Sequence, residues 1–375
     1  MGLPPDGPGD FRDHRAPWVP SRPAAMPHTM KITSIVGARP QFVKAAMVSR
    51  KLRERGAVER LVHTGQHYDA DMSQVFFEQL ELPRPDANLG IGSGTHGQQT
   101  GRMLEALEAD LLSERPDFVL VYGDTNSTVA GALAAAKLQI PLAHVEAGLR
   151  SFNRRMPEEI NRVLTDHTST LLFCPTHTAV RNLEAEGIRW GVHHVGDVMY
   201  DAVVWLQQRG ALDPHLPNRM EVGNGDYAVA TLHRAENTDD RNQLAKLLAY
   251  LDTQAEQMPL LLVLHPRTRK LMARHGLSVD RARIVAPLGY LEMHSLLAGA
   301  ARLYTDSGGM QKEACFHHVP CVTLREETEW VETVEAGWNR LWQTEEYRPR
   351  REIEEYGHGD AAQRIVSILL GVGSG

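Results

Sequence analysis

Short unbroken apolar runs punctuate this chain, and between them lie longer stretches whose apolar positions recur every three or four residues. The runs include ITSIV (32–36), RLVH (60–63), FVLVY (118–122), PLAHV (141–145), LLF (171–173), YAVATL (227–232), LLLVL (260–264), RIV (283–285) and RLYT (302–305). A strand buried on both faces of a parallel sheet reads as a continuous apolar run, whereas the 3.6-residue period marks helices. Helices are expected from Arg39, with Phe42, Val43, Ala46, Met47 and Leu52 on the buried stripe, and through Leu80 after the second strand. Further helices are expected over Arg102 to Leu112, along the small-residue run STVAGALAAAKL, from Pro157, over 177–186, through Leu244, Leu247, Leu248 and Leu251, and from about Met310. Strands and helices alternating at this spacing predict parallel βαβ units with right-handed crossovers.

The alternation runs once from Met30 to about residue 199 and again after the irregular segment 207–226. The expected fold class is therefore α/β, with two Rossmann-like doubly wound domains facing a cleft. They span residues 30–199 and 200–358, and residues 359–375 form a C-terminal helix that packs back on the first domain. Residues 1–29 carry Pro, Gly and charge without apolar periodicity and are expected to be a disordered tail.

With 375 residues and 42% hydrophobic content, the chain can build a core for each domain. A formal net charge of −7 argues against nucleic acid and anionic membranes as partners and leaves a small molecule. There is no run of 18 apolar residues and no apolar core of a secretory signal, so neither a membrane span nor export is indicated. Cys174, Cys315 and Cys321 lack metal or redox spacing and suit a reducing cytoplasm. No metal site is expected from the histidine pairs 193/194 and 317/318.

Candidate chemistry gathers where strands end. Asp124 and Glu146 follow neighbouring apolar runs, and Glu158 opens the next helix with Arg162 at i, i+4 as a pairing partner. Ligands of open α/β sheets bind beyond the carboxyl ends of the strands, so these acids share one crevice, where like charges separate one another's pKa values. Arg39 and Lys44 place cationic charge beside the crevice. The first strand-to-helix turn has the single Gly37 rather than GxGxxG, so a nicotinamide cofactor loses its support and no cofactor is expected. In the second half His233 and Arg234 end a strand, and Ser307, Gly308 and Gly309 form an anion cradle at a helix N-terminus, with Glu313 one turn on to hold a ribose. A nucleotide on the second half would project its substituent toward the acids of the first, in a glycosyltransferase-B type arrangement.

GARPQFVK (37–44), TGQH (64–67), VYGDTNST (121–128), HVEAGLRS (144–151), MPEEINR (156–162), TLHRAEN (231–237) and DSGGMQKEA (306–314) together resemble the non-hydrolysing UDP-N-acetylglucosamine 2-epimerases. The resemblance runs from about Met30 to Leu370. It implies inversion at C2 of a UDP-linked N-acetylhexosamine by elimination and re-addition of UDP, in a cytoplasmic homodimer that supplies cell-surface polysaccharide synthesis. It also implies catalytic roles for Asp124, Glu146, Glu158 and His233, and UDP-sugar binding by Arg39, Lys44, Ser307, Gly308, Gly309 and Glu313; Gln66, Arg155 and Arg234 are further candidate substrate-binding residues by position. A glycosyltransferase of the same fold, a hydrolysing epimerase and a non-catalytic UDP-sugar sensor are the alternatives.

Some positions depart from the commonest family pattern. Gln41 stands where many relatives have Glu, Trp330-Val331 where they have Arg-Pro, and GQHYDADM lengthens the segment after the second strand. Gln41, SFNRRMPEE, TLHRAENTDD and TEWVE resemble the subgroup acting on UDP-2,3-diacetamido-2,3-dideoxyglucuronate. A C6 carboxylate near three acids needs a cation, and Arg154 and Arg155 are positioned to supply it.

Overall fold

The computed structural model describes residues 29–66 and 77–372. Residues 1–28, the stretch 67–76 that holds HYDADM and the start of the helix expected to reach Leu80, and residues 373–375 lie outside the described residues.

Among the described residues the first sheet comprises β1 (Lys31–Val36), β2 (Val58–His63), β3 (Ala87–Asn88), β4 (Phe118–Tyr122), β5 (Leu142–Val145), β6 (Leu171–Cys174) and β7 (Val192–His194). Its order is β3-β2-β1-β4-β5-β6-β7, parallel throughout. The second sheet comprises β8 (Ala228–Leu232), β9 (Leu260–Leu264), β10 (Arg283–Val285), β11 (Arg302–Thr305), β12 (Cys321–Thr323) and β13 (Asn339–Leu341). Its order is β10-β9-β8-β11-β12-β13, again parallel. Strand order reverses between β1 and β4 in one sheet and between β8 and β11 in the other. Those reversals open the crevices in which α/β sheets bind ligands.

Each sheet is covered on both faces, which is why its central strands are apolar along their whole length: β4 and β8 are buried at every position. The helix Asn126–Lys137 owes its place to small residues. A Cβ on Gly131 would lie 2.8 Å from Ile35 Cδ1 and 3.2 Å from Val121 Cγ1, so helix and sheet approach closely only because the side chain is missing. Gln41 joins the two strands at the first reversal. Its amide oxygen accepts from the N–H groups of Gly37 (2.7 Å) and Ala38 (3.0 Å), while its Nε2 donates to Tyr122 O (2.7 Å) and Thr128 Oγ1 (2.9 Å). An ionised Glu has no donor for the last two, so the departure at 41 is matched by its surroundings.

Two elements differ from the patterning. The third described helix begins at His96, six residues before the expected Arg102, because Thr95 and Gln98 form a capping box that polar composition conceals. A helix also spans Val198–Gln208, where the patterning identifies none, so a division near residue 200 falls inside it. Asp197 starts that helix by accepting from Met199 N at 2.8 Å, and Val198, Met199, Ala202, Val203 and Leu206 join the core beneath the first sheet. The helix Ala361–Val372 packs on this helix and on Arg39–Glu54, contributing Ile365, Val366 and Leu369 to the same core.

Asp201 holds the start of that last helix, accepting from Ala361 N (3.1 Å) and Ala362 N (2.7 Å). Burial pushes Asp201 up to about 7; the two amides oppose the rise, and Asp197 and Asp360 add to it. The unfolded chain titrates this group near ~3.9. The folded state thus binds the extra proton between those values, and the associated stability is present below the unfolded pKa and lost as pH rises through the folded one. Relative to Asp201→Asn, the unmodified protein is expected to lose its advantage in Tm between about pH 4 and 7. A gap in Tm that stays constant over this range would contradict the assignment.

Candidate active site

The site gathers at the carboxyl ends of β4 and β5 in one sheet and of β8 and β11 in the other. After β5 the chain turns at Glu146, whose φ of +74° is a left-handed conformation that costs a non-glycine residue energy. The turn aims the carboxylate into the cleft and into a clamp of ammonium groups. Lys44 Nζ, from the helix after β1, contacts Oε2, and Lys312 Nζ, from the helix after β11, donates to Oε1 at 2.8 Å. Burial would raise the Glu146 pKa, but Lys312 and Lys44 outweigh it and hold it down at about 2. Lys312 is fully buried and also donates to Asp197 Oδ2 at 2.5 Å. Its ammonium lies 3.9 Å from the centre of the Trp330 ring.

After β4 the chain turns at Gly123, with φ +61°, and presents Asp124. This carboxylate is 31% exposed and accepts from Arg162 Nη2 at 2.5 Å. The expected Glu158–Arg162 pair is not formed. Arg162 turns inward to Asp124 and to Glu159 Oε2 (3.1 Å), both on its buried side, while Glu158 is left half-buried on the same helix. Burial alone would lower the Arg162 pKa, and Asp124, Glu329 and Glu159 raise it well above the ordinary value. Glu159 is structural: it accepts from Ser151 N (2.9 Å), Ser151 Oγ (3.0 Å) and Phe152 N (3.0 Å), fixing the loop before its own helix. Glu158 is half-buried and, among the described residues, has no hydrogen bond or ion pair. Beneath the acids, His144 lies 2.7 Å from both Asp166 Oδ1 and Gly123 O, and Arg150 donates to Asp166 Oδ2 at 2.7 Å. This buried network fixes the ends of β4 and β5 to each other.

On the opposing sheet Asp306 ends β11 and is fully buried. It accepts from the backbone N–H groups of His233 (3.1 Å) and Arg234 (2.9 Å) and from Asn237 Nδ2 (3.2 Å), and it lies 3.1 Å from His233 Nδ1. Burial would raise the Asp306 pKa; the His233 contact and the Arg234 and Asn237 donors reverse this and lower it. The imidazole is 47% exposed, so its Nε2 edge is presented to the cleft with the ring orientation set from behind. Ser307 precedes the helix Gly308–Phe316 without capping it through its side chain. A Cβ on Gly308 would lie 2.4 Å from Glu329 Oε1, whereas one on Gly309 would meet nothing within 4 Å. Open space therefore faces the helix N-terminus at Gly309. Burial raises the Glu329 pKa, but Arg325, Arg162 and Arg234 bring it below its ordinary value. Glu313 is buried beside His294, whose Nε2 is 3.5 Å away.

Of the residues picked from sequence, Asp124, Glu146 and Lys44 come together at the ends of β4 and β5, Glu158 lies on the helix that sends Arg162 to Asp124, and His233, Arg234, Ser307, Gly308 and Gly309 lie at the ends of β8 and β11. Arg39 approaches from the first half: burial lowers the His265 pKa, and Arg39, His233 and Arg267 lower it further. Gln66 Oε1 accepts from Ser127 N (3.0 Å) and Oγ (2.7 Å), serving the start of the helix after β4. Arg154 and Arg155 are exposed on a loop that reaches the second half, where Asn153 Nδ2 donates to Glu327 Oε1 at 2.7 Å. Sequence reasoning gave no role to Asp197, Asp306, Lys312 or Glu329. Their only sequence signal is position: Asp306 and Lys312 lie in DSGGMQKEA, and Glu329 precedes the variant Trp330.

The arrangement can hold an anion against the Gly309 N-terminus and surround its substituent with carboxylates, one clamped and others open to solvent. Among the described residues no cluster of His, Cys, Asp and Glu could hold a metal. A small cavity lined by Lys44, Glu146, Phe173, Pro175 and Asp197 adjoins the clamp.

A family model described as UDP-N-acetylglucosamine 2-epimerase matches residues 50–370. A UDP-N-acetylglucosamine 2-epimerase homolog of Methanococcus maripaludis is 49% identical over 358 residues, 91% of this chain and 99% of the relative. The UDP-2,3-diacetamido-2,3-dideoxy-D-glucuronate 2-epimerase of Pseudomonas aeruginosa is 53% identical over 317 residues, 83% of this chain and 88% of the relative. The structure of UDP-GlcNAc 2-epimerase from Methanocaldococcus jannaschii in complex with UDP-GlcNAc and UDP superposes with a TM-score of 0.83 at 42% identity, covering 91% of this chain and 100% of that one. The likeness extends to both sheets and carries the glycosyltransferase-B-like arrangement that the patterning leads one to expect. Among the described residues no helix is long and apolar enough to cross a membrane. The chain belongs to the UDP-N-acetylglucosamine 2-epimerase family, enzymes of the isomerase class.

Proposed function

We propose that this protein inverts C2 of a UDP-linked N-acetylhexosamine without hydrolysing it. The observation that carries the reading is the opposition of Asp124, Glu146 and Glu158 on one sheet to His233 and the Gly309 N-terminus on the other. The C2 proton has no adjacent carbonyl to acidify it, so a carboxylate base is insufficient unless the C1–O bond to UDP also breaks. Elimination takes the C2 proton and releases UDP, leaving a 2-acetamidoglucal; re-addition returns UDP to C1 and a proton to the opposite face of C2. The helix N-terminus, Arg234 and His233 supply the charge that stabilises departing UDP. Asp306 supports His233 in that role by fixing its ring. Arg39, Lys44 and Gln66 line the first-half side, and Glu313 takes the ribose. The resemblance also brings a cytoplasmic homodimer in polysaccharide synthesis into the reading; three buried cysteines, all thiols, accord with a reducing compartment.

Incubation with the UDP-sugar in D₂O, followed by NMR, is expected to place deuterium at C2 of an intact epimeric UDP-sugar. Free sugar would indicate a hydrolysing enzyme, and an unchanged spectrum a transferase or a sensor. Asp124→Asn and Glu158→Gln are each expected to slow this exchange by about 10² to 10⁴ while leaving UDP affinity in place, since both groups face the sugar. Equal loss of UDP affinity, measured by calorimetry, would contradict that placement.

The sugar is further proposed to be the 2,3-diacetamido-uronate. Support comes from the Pseudomonas aeruginosa relative at 53% identity and from Arg155, exposed and without a side-chain partner among the described residues, on the loop that Asn153 joins to the second half. Paired kcat/KM measurements are expected to favour the uronate over UDP-N-acetylglucosamine, and Arg155→Ala to erase the preference. A preference of the unmodified protein for the neutral sugar would reject the uronate and leave epimerisation standing.

A further inference from the structure

We propose that Lys312 is a positioning residue that holds Glu146 as a fixed carboxylate anion, so that proton transfer at C2 falls to Asp124 and Glu158. The proposal rests on the functional reading above and adds a division of labour among its three acids.

The geometry separates the acids sharply. Each oxygen of Glu146 faces an ammonium, Lys44 on one side and Lys312 on the other, and the side chain is 12% exposed. Asp124 has one guanidinium partner and is 31% exposed. Glu158 is half-buried and has no partner among the described residues. A group that must gain and lose a proton in each turnover cannot have both protonation states within reach when two buried ammonium groups favour only one. A fixed anion at that point serves a different purpose, opposing the positive charge that develops at C1 as UDP leaves.

Lys312 differs from Lys44 in where it comes from. It sits on the helix whose N-terminus faces the proposed diphosphate site, 166 residues from Glu146 in sequence. Asp197, on a third element, accepts from the same ammonium, and Trp330 covers it, so the nitrogen is held on several sides and shielded from water. Glu332 also acts on Lys312, from the helix that follows Trp330. The low Glu146 pKa agrees with this arrangement, with Lys312 the larger of the two ammonium influences. The proposed diphosphate site and the acid are thereby tied to one rigid helix.

The test compares the pH dependence of kcat for C2 exchange in the unmodified protein, in Lys312→Arg, and in the double variant Lys312→Met/Asp197→Asn. The double variant removes both members of a buried pair, which protects folding. With only Lys44 left, the Glu146 pKa rises, and the anion is lost as pH falls through the new value. The double variant is therefore expected to show an acid limb displaced upward by at least about one pH unit and a UDP Kd within about threefold of the unmodified value. Lys312→Arg, which keeps the charge, is expected to restore the original acid limb. An unshifted limb, or a pH-independent rate loss that Arg fails to rescue, in a variant that still melts cooperatively, would overturn the proposal. No exchange by the unmodified protein would instead overturn the functional reading, and this proposal with it.

Discussion

A buried carboxylate needs cations, and Glu146 takes one from each half of the molecule. Lys44 descends from the helix after β1 and Lys312 from the helix after β11, with Asp197 closing the chain of charges at the start of the helix Val198–Gln208. Removing one partner of such a buried set typically costs ~3–5 kcal/mol, because a charge is left without compensation. The set therefore specifies the geometry more than it adds net stability: the two sheets approach in the arrangement that satisfies all four groups. The acid under the sugar and the helix end under the diphosphate are located by the same contacts.

The backbone carries strain to make this work. Glu146 occupies the left-handed region that glycine would enter freely, and its neighbours over-determine the turn: Glu146 N and Ala147 N both donate to Phe173 O at 3.1 Å. His144 ties the same turn to Gly123, and Gln41 ties the end of β4 to the first loop. Strain at one functional residue is thus held by uncharged hydrogen bonds from three directions. On the other sheet Asp306 has the corresponding task, collecting three N–H donors so that His233 and Arg234 leave β8 at fixed angles.

What the sequence discloses follows from the range of the interactions. Buried parallel strands announce themselves as apolar runs, and residues at strand ends inherit a location from the fold, which is why Asp124, Glu146, His233 and the Ser307–Gly309 turn are legible without coordinates. The helix at Val198–Gln208 is missed because its apolar residues follow one another without a stop signal against which to read a period. Arg162 illustrates the limit for side chains: local spacing offers Glu158, but the partner chosen is Asp124, 38 residues away and on the buried side. Lys312 and Asp197 meet across 115 residues, a pairing that no periodicity encodes. Trp330 is visible only as a departure from the family pattern, and its role as the cover over Lys312 emerges with the fold.

These interactions have a single chemical purpose in this account: breaking and remaking the C1–O bond while C2 loses and regains its proton. The most direct measurement follows ¹⁸O placed in the bridge between C1 and the β-phosphorus of the UDP-sugar. Torsional freedom of departed UDP exchanges bridging and non-bridging oxygens before re-addition, so recovered UDP-sugar is expected to carry the label in both positions at a rate comparable to C2 deuteration. Deuterium entering C2 with the ¹⁸O still confined to the bridge would contradict the elimination on which the roles of His233, Glu146 and the Gly309 N-terminus depend.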